Sequence, residues 1–327
     1  MKKENKYTLI GLGTAVAGIA TVAAVSSAIT RKLLKIAMDR EEPKEMAKNK
    51  EKISCSGDMA AFMSVVSQSA EKLERSDYET VEIQSHDDIK LVGHWRMPSD
   101  PKRVIIAMHG WRSSWAQDFG SIADFWYDND CAVLYAEQRG QGKSGGEYMG
   151  FGLLERYDCF DWVKWANERT GGSLPLYLGG VSMGASTVLM TAGLDLPDNV
   201  KGIVADCGFT SPHEIWKHVV ESNLHLPYSM HAVAANDLCK KRINMTSQEY
   251  STLDAMRECK VPILFIHGTD DKFVPISMTY ENYKACVAPK RIMVVPGAGH
   301  GMSYFTDKQG YESEIKEFWN KYDFCKI

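Results

Sequence analysis

Short, continuously apolar runs recur along this chain of 327 residues, and longer stretches with helical spacing separate them. A strand that is buried on both faces shows no alternation of apolar and polar residues, because neither side of it meets solvent. Runs of this kind, alternating with helices, are typical of a parallel sheet that helices cover on both faces. The pattern therefore predicts an α/β fold with such strands at residues 104–108, 132–136, 176–178, 200–205, 262–266 and 292–295.

The segments around these strands predict the rest of the architecture. Residues 80–84 and 89–95 flank the turn signal Ser85-His86-Asp87-Asp88, which predicts an antiparallel hairpin at one side of an otherwise parallel sheet. Helical apolar spacing predicts a helix at 59–73 that packs at the edge of the domain. It also predicts a helix at 153–168 and a closing helix at 311–322.

One apolar run leads into the pentapeptide Gly180-Val181-Ser182-Met183-Gly184, and a helical stretch at 185–193 follows it. A serine in so sharp a strand-to-helix turn has a strained backbone, and its hydroxyl is presented above the edge of the sheet. The flanking glycines are needed because a Cβ there would collide with the crossing strand and helix. Ser182 is therefore the candidate nucleophile.

Two further segments directly follow apolar strands, namely His267-Gly268-Thr269-Asp270-Asp271-Lys272-Phe273-Val274-Pro275 and Gly297-Ala298-Gly299-His300-Gly301. The order serine, aspartate, histidine, each at the carboxyl end of a strand, resembles the α/β-hydrolase superfamily from about residue 81 onward. The resemblance includes its esterase, serine aminopeptidase and prolyl-oligopeptidase-like branches, in a membrane-anchored bacterial type. It implies an α/β-hydrolase fold in which residues 211–257, where no strand pattern appears, form a small helical lid over the nucleophile.

The catalytic partners of Ser182 follow from residue type and position. His300 is the candidate base, because an imidazole can both take and return a proton near neutral pH. The family pattern H-G-x-x-D-x-x-V implies Asp271 as the acid that orients His300, and leaves Asp270 as a turn residue. Asp206, after the preceding strand, stays an alternative acid, and support of the base of the lid is its other predicted role.

An acyl-transfer intermediate also needs two backbone donors for its oxyanion. The predicted donors are the amide of Met183, which follows the nucleophile, and the amide of Trp111, in the loop after the third strand. We interpret His109 and His267 as structural hydrogen-bonding residues, and the spacing of the other histidines matches no metal motif. Neither a metal nor a cofactor is expected. The glycine-rich segment 140–145 lacks the spacing of a phosphate loop and is expected to be a structural turn.

The predicted function is a serine hydrolase that cleaves carboxylic esters through an acyl-serine intermediate. A peptidase of the aminopeptidase or prolyl-oligopeptidase-like type is the first alternative, and it should hold a substrate amine with lid carboxylates such as Glu214 and Glu221. Thioesterase and acyltransferase activities use the same machinery. A catalytically silent, membrane-tethered interaction module is the alternative from another class, and the presence of all three triad residues argues against it.

The residues before the α/β domain predict a membrane attachment. Lys2, Lys3 and Lys6 precede an uncharged, mostly apolar stretch at 7–30. A membrane-spanning helix needs about 20 residues, so a single-pass anchor over residues 1–30 is predicted, with a cleaved signal peptide as the alternative. Dense mixed charge over 31–58 predicts a solvated helical stalk that leads to the hydrolase domain at 59–327. Deletion of the residues before Lys52 is then expected to leave an active, soluble enzyme.

Charge and cysteine usage exclude some classes of protein and favour one compartment. The net charge of −4 gives no electrostatic footprint for a nucleic-acid partner. The eight cysteines lack C-x-x-C spacing, so neither a zinc site nor a redox pair is predicted. Such cysteines are typical of a reducing compartment, and the excess of Lys and Arg after the apolar stretch favours a cytoplasmic catalytic domain.

Overall fold

The structure is a computed structural model, and it describes residues 26–42 and 57–324. Its sheet consists of β1 Glu79–Gln84, β2 Lys90–Arg96, β3 Arg103–Met108, β4 Cys131–Glu137, β5 Leu176–Val181, β6 Val200–Asp206, β7 Ile263–Gly268 and β8 Lys290–Val295. Its helices are α1 at 26–38, α2 Gly57–Glu74, α3 Trp115–Asp128, α4 Glu155–Thr170, α5 Met183–Thr191, α6 Pro212–His218, α7 Ala232–Ile243, α8 Thr252–Glu258, α9 Ile276–Ala285, α10 Ser303–Thr306 and α11 Lys308–Tyr322.

The strands are arranged in the order β1-β2-β4-β3-β5-β6-β7-β8. The pairs β1–β2 and β2–β4 are antiparallel, and the other neighbouring strands run parallel. Every residue of β3 and β4 is buried, which explains why these strands show no alternation in the sequence. The predicted hairpin and the mostly parallel sheet are confirmed.

Helices cover the sheet on both faces, as the pattern predicted. On one face α4 and α8 contribute Trp162 and Met256 to the main apolar core. On the other face α3 contributes Phe119 and Phe125, and α11 contributes Trp319. The rings of Phe125 and Trp319 stack with their centroids 5.4 Å apart, so the two helices that cover this face also pack against each other.

The predicted lid lies between β6 and β7 and consists of helices and turns. Its residues Ile215, Trp216 and Tyr228 belong to an apolar cluster separate from the two sheet cores. The lid is shorter than predicted, because Ala255 and Met256 of α8 are fully buried in the sheet core. Helix α8 is therefore part of the α/β domain.

Helix α2 agrees with the helix predicted at 59–73 and packs on α3. The two helices cross closely at Gly120, where a Cβ would lie 2.6 Å from the backbone of Ser69. Only a residue without a side chain permits this approach, so the glycine sets the distance between the helices.

Residues 31–42 differ from the solvated stalk that their charge predicted. Leu34 and Met38, four positions apart on one face of α1, are buried at 4% and 0% exposure. Arg31, Lys32 and Lys35 of the same helix are exposed. An apolar stripe with this spacing packs against a core, and here it packs into the lid cluster.

No helix within residues 26–42 and 57–324 is both long and apolar enough to cross a membrane. The predicted anchor falls mainly on residues 1–25, and residues 43–56 of the predicted stalk are likewise outside the described residues. The last part of the predicted anchor, residues 26–30, is described and belongs to α1. There Ser26 and Thr30 are buried, and their hydroxyls are hydrogen-bonded to the lid at Met230 O and His231 Nδ1, both at 2.8 Å.

Candidate active site

Ser182 lies at the turn between β5 and α5, with φ 56° and ψ −115°. This left-handed conformation is strained for a residue with a side chain and persists only where the surroundings hold it. A Cβ at Gly180 would lie 2.3 Å from Gly184 O, and a Cβ at Gly184 would lie 1.8 Å from Met108 O. The structure therefore has no room for a side chain at either glycine, as the sequence predicted. Strand β5 is longer than the predicted 176–178, because Gly179 and Gly180 pair with β3 before the turn.

The structure brings Ser182, His300 and Asp271 together in one chain of hydrogen bonds. His300 Nε2 lies 2.9 Å from Ser182 Oγ, and His300 Nδ1 lies 2.7 Å from Asp271 Oδ2. A carboxylate oxygen only accepts, so Nδ1 carries the ring proton and Nε2 is free to accept the serine proton. The three predicted triad residues thus have the geometry of a nucleophile, its base and an orienting acid.

Asp271 is held in its ionised form by the groups around it. Its Oδ1 accepts hydrogen bonds from the amides of Phe273 and Val274, both at 2.9 Å. Its Oδ2 accepts from His300 and also from His267 Nε2, at 3.1 Å. Burial by itself would raise the pKa of Asp271, but these hydrogen bonds outweigh it and hold the pKa well below its usual range.

The two other candidate acids lie elsewhere. Asp270 is exposed, and its Oδ1 accepts from Thr269 Oγ1 at 2.8 Å, as expected for a turn residue. Asp206 is buried, and its Oδ1 accepts from Ser303 Oγ at 2.9 Å, with burial raising its pKa to about 6. The predicted role of Asp206 at the base of the lid is wrong, because its side chain contacts α10, in the segment that follows His300.

The predicted oxyanion donors flank the nucleophile. Met183 is the first residue of α5, and the N–H groups of a helix's first turn have no acceptor within the helix. Trp111 follows Gly110, where a Cβ would lie 3.4 Å from Ser182 Cβ. The amide of Gly110 donates to Asp118 Oδ2 at 2.6 Å, which ties this loop to α3. We call residues 110–113 the oxyanion loop.

His109 and His267 make structural hydrogen bonds, as predicted. His109 Nδ1 donates to Gly110 O at 2.8 Å and its Nε2 accepts from the amide of Gln138 at 3.1 Å. Burial lowers the pKa of His109, which keeps the ring neutral. His267 Nε2 donates to Asp271 and to Val274 O, so this ring supports the acid of the triad.

The glycine-rich segment 140–145 is a structural turn, as predicted. Gly140 and Gly142 have φ of 71° and 53°, a region that favours glycine. Ser144 Oγ donates to Glu137 O at 2.6 Å and accepts from the amide of Val92 at 2.9 Å. The segment is thereby fastened to β2 and β4.

Within the described residues, potential metal ligands form two groups, one at His86, Asp158 and Asp161 and one at the triad residues. In the first group Asp158 is already paired with Arg139. Ligand atoms of Cys207, Asp271 and His300 lie within 4.8 Å of one another. Asp271 and His300 are already hydrogen-bonded to each other, and burial raises the pKa of the Cys207 thiol well above its usual value. A neutral thiol is a poor metal ligand, so these groups fit a triad better than a metal site.

Two cavities meet at Ser182. The lid pocket, of about 130 Å³, lies between α1 and the lid and is lined by apolar side chains such as Leu33, Leu34, Trp216 and Val220. The sheet-face cavity, of about 450 Å³, runs from Ser182 and His300 along the face of the sheet that α3 and α11 cover. Its floor includes Gly179 and Val204, and Phe62 of α2 lies on its wall.

Sequence reasoning missed α1 and Arg112 as parts of this site. Arg112 lies in the oxyanion loop with φ 50°, and α1 lines the lid pocket. The spacing of Leu34 and Met38 indicates a buried face on α1, but it does not indicate the partner of that face. The contacts join segments that are 74 positions apart for Trp111 and 76 for Arg112.

Comparisons with known proteins agree with this fold. The model of the prolyl oligopeptidase family matches residues 117–323, which include all three triad positions. An uncharacterised Bacillus subtilis protein, YqkD, is 27% identical over 253 residues, which are 77% of this chain and 82% of that protein.

Two solved structures share the fold at low sequence identity. An esterase from Pyrococcus furiosus superposes with a TM-score of 0.63 at 23% identity, over 77% of this chain and 94% of the esterase. An acylaminoacyl peptidase from Pyrococcus horikoshii gives a TM-score of 0.58 at 16% identity, over 77% of this chain and 43% of the peptidase. At these identities the likeness establishes the α/β fold alone.

Proposed function

This chain belongs to the prolyl oligopeptidase family of the α/β-hydrolase superfamily and is of the serine-hydrolase type, and we propose that it cleaves carboxylic esters. The observation that carries the proposal is the hydrogen-bond chain from Asp271 through His300 to Ser182, with its serine end open to an apolar pocket. A serine hydroxyl beside a correctly oriented imidazole attacks an acyl carbon.

The reaction runs in two halves on these groups. Ser182 Oγ bonds to the ester carbonyl carbon while His300 Nε2 takes its proton, and Asp271 stabilises the imidazolium that forms. The amides of Met183 and Trp111 donate to the carbonyl oxygen as it becomes an oxyanion. His300 then returns the proton to the departing alkoxide, which leaves as an alcohol. Water releases the acyl group from Ser182 by the same steps.

The two cavities support an ester with unequal sides. The lid pocket, at about 130 Å³, is close to the ~150 Å³ cavity that binds benzene in another protein. It therefore suits a small apolar group such as a short acyl chain. The sheet-face cavity, at about 450 Å³, falls within the range of about 300–1,000 Å³ that is usual for ligand pockets, and it suits the larger side of the ester.

The carboxylates around Ser182 favour an ester over a peptide with a free amine. Of the described residues that line the two cavities, Asp118 accepts from Gly110 and Ser113, and Asp206 accepts from Ser303. The lid carboxylates Glu214 and Glu221 line neither cavity. A substrate ammonium group would therefore have to displace existing hydrogen bonds, which costs free energy.

The membrane anchor stays a proposal, with a shorter span than the sequence indicated. Ser26 and Thr30 are buried against the lid, so we propose residues 7–25 as the anchor. As a helix these residues would span about 28 Å at 1.5 Å per residue, close to a hydrocarbon core of about 30 Å. Full-length protein that leaves the membrane fraction on carbonate washing would contradict this proposal.

The test of the proposed activity combines a covalent probe with a substrate panel. A fluorophosphonate should label the wild-type protein, and Ser182→Ala should abolish the labelling with little change in melting temperature. Esters of increasing acyl length and aminoacyl amides are then compared by kcat/KM. Labelling at another serine in the variant, or faster turnover of aminoacyl amides than of all esters, refutes the proposal.

A further inference from the structure

We infer that α1, although it precedes the α/β-hydrolase domain, positions the oxyanion loop through Arg112 and is thus part of the active site. The inference rests on the proposed function, since it assigns a positioning residue to that reaction. It concerns the contacts between residues 26–39 and the loop that carries the Trp111 amide.

The last carbonyls of α1 accept hydrogen bonds from side chains of the oxyanion loop. The Arg112 guanidinium donates to Ile36 O from Nε at 3.0 Å and from Nη2 at 2.8 Å, and also to Asp39 O at 2.6 Å. Trp111 Nε1 donates to Ala37 O at 2.8 Å. The carbonyls at the end of a helix have no partner within it and carry partial negative charge, which a guanidinium satisfies well.

The conformation of Arg112 explains why the loop needs this support. Its φ of 50° is in the left-handed region, which is unfavourable for a residue with a side chain. Such a conformation persists only when surrounding contacts fix it. On one side the Arg112 amide donates to Gln141 Oε1 at 2.6 Å, and on the other side its guanidinium is held by α1. Without α1, Gly110 and Ser113 would stay tied to Asp118, but Arg112 itself would be held by the Gln141 contact alone.

Helix α1 is itself anchored on the lid and on the loop between β4 and α4, so it can act as a fixed support. Thr30 Oγ1 and His231 Nδ1 are hydrogen-bonded at 2.8 Å. Met38 O accepts from the amide of Met149 at 2.7 Å. Arg242 Nε donates to Asp39 Oδ1 at 2.8 Å. The helix therefore links the lid to the oxyanion loop and also forms one wall of the lid pocket.

Loss of the contact between Arg112 and α1 should therefore lower kcat. Loss of a whole oxyanion donor costs about 10²–10³ in kcat in serine hydrolysis, so displacement of the Trp111 amide should cost a part of that. Arg112→Gln removes the guanidinium that holds α1 against the loop but leaves the Trp111 backbone in place. We expect kcat to fall by about 10- to 100-fold with KM nearly unchanged, because the lost interaction acts in the transition state.

Arg242→Gln is the matched control. It removes another arginine that fastens the same segment, through the Asp39 side chain, but has no contact with the oxyanion loop. Arg242→Gln should keep kcat within about twofold of wild type, because Thr30, Met38 and the Arg112 guanidinium still hold α1 in place. The rate of fluorophosphonate labelling at Ser182 should fall in parallel with kcat for Arg112→Gln, because that reaction also places charge on an oxygen beside the loop.

The possible results separate this inference from the proposed function. Wild-type protein that shows neither labelling nor ester turnover defeats both. If wild type is active but the two arginine variants have the same kcat, α1 does not position the loop. The inference is also overturned if Arg112→Gln changes only KM. It is overturned as well if the melting temperature of Arg112→Gln falls much further than that of Arg242→Gln. Deletion of residues 1–42 should reproduce the loss in kcat, in contrast to the active enzyme that the sequence led us to expect from deletion before Lys52. A fully active deletion variant contradicts the inference.

Discussion

Replacement of Asp271 by asparagine is the sharpest test of the triad. In the structure Asp271 Oδ1 accepts from two backbone amides, while Oδ2 accepts from His300 and His267. An asparagine that keeps its oxygen on the amides turns its NH₂ group toward both imidazoles. His300 must then accept at Nδ1 and carry its proton on Nε2, which faces Ser182 and can no longer act as a base.

The expected magnitudes differ for activity and stability. The wrong tautomer of the histidine cost about 10⁴ in kcat in the serine-protease case, and we expect a loss of that order here. The new NH₂ group also faces the N–H of His267. A buried donor without an acceptor costs about 1–3 kcal/mol, so the free energy of unfolding should fall by about this amount.

Asp270→Asn is the matched control, since Asp270 is exposed and its side chain contacts only its neighbour Thr269 among the described hydrogen bonds. We expect it to keep kcat and to lose at most about 1 kcal/mol of stability. The assay is kcat on one chromogenic ester, with melting temperatures for both variants. The reasoning is refuted if Asp271→Asn retains more than about a tenth of wild-type kcat, or if Asp270→Asn or Asp206→Asn loses activity in its place.

Two further predictions concern the cavity and pH. Gly179→Leu should fold, because a Cβ there contacts Ile105 only at an ordinary 3.9 Å, and it should fill the sheet-face cavity. We expect kcat/KM to fall by about tenfold or more for esters with a bulky side but not for short esters; an unchanged substrate profile would contradict the assignment of this cavity. Asp206 has its pKa raised from 3.8 to about 6, so the folded state binds its proton more tightly than the unfolded state. This stabilisation is complete below the unfolded pKa and is lost as pH rises through about 6, by up to about 3 kcal/mol. Asp206→Asn should therefore gain stability relative to wild type between pH 4 and pH 8. A difference in melting temperature between variant and wild type that does not change with pH contradicts this prediction.

The sequence by itself determined the elements whose cause is local. Residues 104–108 of β3 and 132–136 of β4 are continuously apolar because both faces of these strands are covered. The turn at Ser182 requires glycines at fixed positions, since Gly180 and Gly184 lie where no Cβ fits. The choice of Asp271 over Asp270 came from the resemblance to the family pattern H-G-x-x-D-x-x-V, which lies within a single turn.

Only the tertiary structure decided how distant segments meet. The mixed charge of residues 31–42 predicted a solvated stalk, but Leu34 and Met38 of this segment are buried in the lid cluster. Asp206 was expected to support the lid, but its partner Ser303 is separated from it by 97 positions. The contact of Arg112 with Ile36 spans 76 positions. Contacts of this kind join surfaces of segments that are far apart in the sequence. The residue spacing within either segment therefore does not indicate which partner it contacts.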